Sequence, residues 1–212
     1  MKIFVDNELI EQENVDGVET VEDALQHVQA EFGRLGRMVV SVRCDGKEVP
    51  ANEMAKTLGQ PVDSFERVDV VTGTKEGLVI EAMTQATACI GDTEETCRKV
   101  AGLLKQGDTV EATQTLGKCL LIWQQIHEAV GKSIEMLGLD PDGITAGGET
   151  LIDIVARPKT ALLEMRDALQ AKDYVLLADI LEFEISEAIE SWRTIIAELH
   201  REAEQRKQDA DR

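Results

Sequence analysis

The chain has 212 residues, 43% of them apolar and 30% charged, enough to bury two small cores or one large one. Its formal net charge of −19 argues against nucleic acid, which needs Lys and Arg to displace counterions from phosphates, and against anionic membrane surfaces. No apolar run approaches the roughly 20 residues of a membrane span, and Asp6 interrupts the apolar start after three residues. The sequence therefore reads as a cytoplasmic protein with a solvated acidic surface, a basic partner being the sharper alternative. Aromatics make up only 3%, so aliphatics and Ala must do most of the packing.

The first elements alternate with the period of strands. Ile3 and Val5 alternate with Lys2 and Phe4, Asp6-Asn7 is a two-residue turn of the type that tolerates positive φ, and a second strand returns around Leu9. After the loop "ENVDGVE", Thr20 and Asp23 have the spacing of a capping box. Val21, Leu25, Val28, Phe32 and Leu35 recur at helical spacing as one expected buried stripe, and Gly33 and Gly36 end the helix. "MVVSVRC" is a β-branched run, "DG" turns it and "KEV" returns. "PANEMAKTLGQP" connects, with one helical turn, to a last strand in "FERVDVV". The order strand, strand, helix, strand, short strand, strand predicts a mixed sheet wrapped around one helix, the β-grasp architecture.

These stretches, "MKIFV", "TVEDALQHV", "MVVSVRCDGKEV" and "RVDVV", resemble ubiquitin element by element over about residues 1–72. The likeness is one of fold, carried by core and turn positions. The last strand runs on into "TGTKEGLVIEA" where ubiquitin has a terminal Gly-Gly tail, so the resemblance implies a fused β-grasp module and not a conjugated modifier.

From about Lys75 the period becomes 3.6. It predicts helices at roughly 75–105, 108–137, 148–171 and 173–207, with two very short linkers that make antiparallel neighbours. The fold class is thus α+β: a β-grasp (ubiquitin-like) domain over 1–73, an all-α antiparallel four-helix bundle of two αα-hairpins over 74–207, and a polar frayed tail over 208–212. The two short turns look alike: Leu104, Asp108, Val110 and Leu116 fall on Leu169, Asp173, Val175 and Leu181. An internal duplication and a shared demand of tight αα-turns both explain this. Core stripes run along Leu116, Leu120, Trp123, Ile126 or Val130, Ile134 and Leu137, and along Leu177, Leu181, Ile185, Ala188, Trp192, Ile195 and Leu199. Pro158 is expected to kink or split the third helix near Arg157.

Chemistry is sparse. "GKS" at Gly131–Ser133 has Ile126 where a phosphate loop needs Gly, and it lies within a helix. "GITAGGET" follows no strand and reads as a flexible connection. Ala24, Gln124 and Ala197 stand three residues before His27, His127 and His200, so the Glu-x-x-His pairs of a di-metal bundle are missing. Glu182, Glu184, Glu187 and Glu190 read as a solvated face, unaccompanied by a nucleophile or His. Cys44, Cys89, Cys97 and Cys119 form no C-x-x-C and read as free, mostly buried thiols. The expectation is no catalytic residue, no metal and no cofactor.

Tyr174, Leu176 and Phe183 fall outside the last helix's stripe and are the candidate partner-binding residues. The leading functional expectation is a non-enzymatic protein-binding adaptor whose helical bundle engages a protein partner. In size, charge and helix layout the helical part resembles bacterial flagellar and secretion export chaperones. The alternatives are an enzyme or small-ligand binder with its site at the domain junction, and a homo-oligomer built through the last helix.

Overall fold

The computed structural model describes residues 2–10, 18–141, 143, 145–146 and 148–210. It is an α+β chain that divides into two compact units, Met1–Leu78 and Val79–Arg212.

In the first unit, β1 (Lys2–Val5), β2 (Glu8–Leu9), α1 (Val21–Phe32), β3 (Arg37–Cys44), β4 (Lys47–Glu48), α2 (Ala51–Leu58) and β5 (Arg67–Thr74) follow in order. The strands form one mixed sheet in the order β2-β1-β5-β3-β4. β1 lies parallel to β5, and the β1–β2, β3–β4 and β3–β5 pairs are antiparallel. This is compatible with a β-grasp-like start. The two hairpin turns need left-handed backbone, and short polar residues or Gly supply it: Asp6 and Asn7 have φ of 50° and 70°, Asp45 and Gly46 of 50° and 78°. Thr20 caps α1 as a full capping box, its hydroxyl taking the Asp23 amide and the Asp23 carboxylate taking the Thr20 amide.

Val42 of β3 and Val68 and Val70 of β5 meet Val28 of α1 in the core, and Val21 and Ala24 of α1 pack with Ile3 of β1 and Val62. Leu35, expected in the same stripe, is 70% exposed. The helix ends at Phe32 and the chain tightens into a 3₁₀ turn over Gly33–Leu35, so the period drops and Leu35 swings outward. The connection expected to hold one helical turn is the eight-residue α2. Most of the "ENVDGVE" loop falls outside the described residues.

Asp6 ties the first hairpin to β5. Its carboxylate accepts the Thr72 amide at 2.8 Å, the Thr72 hydroxyl at 2.7 Å and the Arg37 guanidinium at 2.9 Å. Burial opposes the charge, but these donors outweigh it and hold the Asp6 carboxyl below its usual range.

In the second unit, α3 (Lys75–Gln106, entering from the first unit), α4 (Thr109–Leu137), α5 (Leu151–Ala171) and a final rod share one hydrophobic core. The rod is made of α6 (Tyr174–Asp179), a π-helical turn over Ile180–Glu184, and α7 (Ile185–Ala210). The two short turns, at Gly107 and Lys172, are built alike. In the first, the Gly107 and Asp108 amides donate to Leu104 and Leu103; in the second, the Lys172 and Asp173 amides donate to Leu169 and Ala168. Asp108 and Asp173 then cap α4 and α6 by accepting the Glu111 and Leu176 amides.

α5 is one unbroken helix through Pro158, so of the expected kink or split near Arg157 the split does not occur. α7 continues to Ala210, so residues 208–210 of the expected frayed tail are helical, and 211–212 lie outside the described residues. Within the expected connection, Thr145–Ala146 and Glu149–Thr150 pair as short antiparallel strands, β6 and β7. Thr150 caps α5 by accepting the Asp153 amide.

Two outcomes follow. Asp6→Asn keeps the turn geometry but loses the charge, at a cost of about 1 kcal/mol, the low end for charged hydrogen bonds because Asp6 is a third exposed. Amides of β1 and β5 then exchange with deuterium about fivefold faster at neutral pH. A lowered folded-state pKa contributes stability above the ordinary carboxyl value of ~3.9 and loses it as pH falls through the folded value, so the difference between variant and parent vanishes in acid. Lys172 sits in the left-handed region with φ 54°, where Gly is at ease. Lys172→Gly should raise the thermal midpoint of the helical unit by about 2–4 °C, read by circular dichroism.

Candidate functional site

α4 carries more apolar surface than its partners cover. One face, with Leu116, Cys119, Ile126, Val130 and Leu137, is buried. The adjoining stripe, Leu120, Gln124, His127 and Gly131, faces a cavity of ≈ 1000 Å³. The opposite wall is α5, through Leu151, Ile152, Val155, Lys159, Leu162 and Leu163. Trp192 of α7 closes the floor and Pro141 one end. Along α4 the lining runs from Leu120 to Ile134, a groove roughly 20 Å long at the helical rise. Leu120, expected in the core, is 37% exposed because α5 stands away from it, and Ile152 and Leu163 are also open to solvent.

The floor is aromatic. The Trp192 indole is 1% exposed and lies 5.6 Å from the Trp123 ring and 5.4 Å from the His127 ring, tilted against each. Its Nε1–H is buried with no hydrogen-bond partner among the described residues. Such a donor costs about 1–3 kcal/mol and calls for a physical reason. Lys159 is the one cation of the lining among the described residues.

A second void, of ≈ 10 Å³ and about the size of one water, lies beside the groove and is lined by Cys97, Cys119, Leu116 and Met165 among others. Leu120, Trp123 and Leu162 line both spaces and so form the wall between them. The Cys97 and Cys119 sulfurs are 3.5 Å apart, from α3 and α4, and both residues are 3% exposed. The neighbouring Cys119 sulfur and burial push the Cys97 thiol well above its ordinary range, and the Cys97 hydrogen bond makes Cys119 the thiol that gives up its proton first.

The three expected partner residues lie elsewhere. Tyr174 is half-buried against the core, while Leu176 and Phe183 are exposed at the start of the rod; none lines the groove. The acidic face of the rod is built of ordinary ion pairs. Glu182 meets Lys105 at 2.5 Å and Glu190 meets Arg193 at 3.3 Å. Glu184 sits beside Glu164 of α5, and burial together with that like charge raises its carboxyl pKa. "GKS" is interior to α4, where the Ser133 hydroxyl donates to the Ala129 carbonyl and Gly131 faces open space. His27, His127 and His200 sit on α1, α4 and α7, and no group of three metal-ligating side chains is assembled among the described residues.

Residues 81–195 match the family model described as Domain of unknown function (DUF8042), more than half of the chain. The chain belongs to this family. The groove walls, Trp192 and both buried thiols fall inside the DUF8042 segment. Residues 1–74 match a second model, the TP0873 N-terminal domain. No curated protein and no solved structure matches the chain.

Sequence reasoning missed the groove and the thiol pair. The signal for the pair was present: residues equidistant from a tight αα-turn lie side by side, and Cys97 and Cys119 are almost equidistant from Gly107-Asp108. The signal for the groove was the extra apolar width of α4 and α5, with Leu120 and Ile152 beside the core positions.

Floor and rim should differ sharply on truncation. Trp192→Ala removes a fully buried ring and should cost about 3–5 kcal/mol in urea unfolding. Ile152→Ala, at 53% exposure, should cost less than about 1 kcal/mol.

Proposed function

We propose that this protein is a non-enzymatic binding adaptor whose helical unit, an antiparallel four-helix bundle opened between α4 and α5, holds one amphipathic helix of a protein partner. The observation that carries the reading is the groove: two helical walls with apolar residues advancing by threes and fours over roughly 20 Å. Such walls offer ridges and gaps to a further helix, the helix-in-groove mode of recognition. The net charge of −19 fits a partner helix whose polar face is basic. In this reading the N-terminal unit is a fused ubiquitin-like β-grasp module, and the groove works in the manner of a chaperone that shields an apolar segment.

The test uses the full chain and a neutral apolar dye, Nile red, displaced by a synthetic Leu/Lys amphipathic helix. The basic peptide is expected to displace the dye at micromolar concentration, and its Leu/Glu counterpart at least tenfold more weakly. Ile152→Glu with Leu163→Glu should weaken both dye and peptide at least tenfold. Displacement that is lost instead in Leu176→Glu with Phe183→Glu moves the site to the start of the rod. A concentration-dependent dimer by light scattering, with no peptide binding, overturns the reading in favour of a second copy of the chain.

The ≈ 1000 Å³ volume of the cavity and Lys159, the one cation of its lining among the described residues, favour a second reading, a small apolar ligand with a carboxylate in the same cavity. Organic extraction of the purified protein followed by mass spectrometry separates the two: a stoichiometric small molecule supports the ligand, and its absence leaves the helix.

A further inference from the structure

The geometry points to Cys97 and Cys119 as a reversible oxidation site, at which a hydroperoxide converts the two buried thiols to an intramolecular disulfide that staples α3 to α4. The pair is independent of what occupies the groove. Its sulfurs are 3.5 Å apart on neighbouring helices of one tight hairpin, and a disulfide needs them at about 2.05 Å. A contraction of that size is within reach of side-chain rotation, and the adjoining void gives the sulfurs room to turn.

Two further observations set this pair apart from ordinary buried thiols. The void that both line, about the size of one water, shares the Leu120, Trp123 and Leu162 side chains with the open groove, which is the approach for a small oxidant. The Cys119 sulfur also lies 4.0 Å from the Thr93 backbone carbonyl, so the pair is held between α3 and α4 by sulfur contacts on both sides. The other two cysteines have no such partner: Cys44 is buried in the first unit's core and Cys89 is half-buried on α3.

The chemistry balances with a hydroperoxide as oxidant. The Cys119 thiolate attacks the peroxide oxygen; the S–O bond forms, the O–O bond breaks, and the departing alkoxide or hydroxide takes the proton that Cys119 released. The Cys97 sulfur then attacks the Cys119 sulfenic acid; the S–S bond forms, the S–O bond breaks, and water leaves with the Cys97 proton. Two thiols are oxidised by two electrons, the hydroperoxide is reduced to an alcohol or water, and a dithiol reverses the reaction by exchange.

The experiment treats the full-length protein with hydrogen peroxide, counts free thiols and maps peptides without reduction. The expected result is a fall from four free thiols to two, a single cross-linked peptide pair containing Cys97 and Cys119, and full recovery with dithiothreitol. Cys97→Ser should leave a sulfenic acid on Cys119 that dimedone traps, and Cys119→Ser should leave Cys97 unmodified, both checked for native circular dichroism. The inference is overturned if the wild-type protein keeps four thiols, if Cys44 or Cys89 reacts first, or if Cys97 and Cys119 are found separately over-oxidised with no cross-link.

Discussion

The helical unit depends on where Trp192 sits. The chain holds only two tryptophans, and both meet at the floor of the groove. α7 reaches the other three helices: it packs against α4 and α5, and Arg193 bridges it to Glu94 of α3. A side chain of that size, held at 1% exposure, fixes the spacing of its neighbours, because protein interiors pack to crystal density and do not yield to a ring of this volume. Aliphatic residues would let α4 and α5 close on each other. An indole at the floor, tilted against Trp123 and His127, gives the two walls a support on which to stand apart. The apolar stripes that face each other across the gap stay uncovered, each square ångström forgoing about 25 cal/mol of burial.

The π turn over Ile180–Glu184 is the second device on the same rod. An α-helix carries one narrow stripe, yet Leu177, Ala178, Ile180 and Leu181 are all buried. Widening one turn changes the phase, so the buried face before the turn and the long stripe of α7 after it both point at the core. The cost appears on the outside of the turn. Phe183 is left 66% exposed and Glu184 is brought against Glu164, a like-charge contact that favours the protonated acid. Tyr174, Leu176 and Phe183 look alike in a periodicity argument, yet only Tyr174 turns inward onto the core.

Most of the local structure was legible because local rules decide it. The Asp6-Asn7 and Asp45-Gly46 turns, the Thr20 capping box and the two Asp-capped αα-turns each rest on a few adjacent residues whose backbone demands are specific. Errors arose where the period changed inside an element. Leu35 was placed on a helix that had already tightened, and α5 runs through Pro158 without the split that was one of its two expected effects. The site was less legible than the fold. A groove is a relation between two helices distant in sequence, and an apolar residue on its wall, such as Leu120, has the same pattern as a core residue. Only the excess width of the stripes distinguishes them.

The groove and the thiol pair meet in one wall. Cys119 and Trp123 are one turn apart on α4, on the same face, and Trp123 with Leu120 and Leu162 separates the sulfur void from the groove. A bond that brings the two sulfurs about 1.5 Å closer turns the Cys119 side chain on a helix whose next turn carries an aromatic ring of the groove floor. Close-packed side chains transmit such a displacement and do not absorb it. The reach of the effect is bounded by the same packing: Trp192 belongs to α7, whose stripe is buried from Ile185 to Ala203. Oxidation would therefore be felt first in the Trp123 side of the wall and would leave the apolar character of the groove intact.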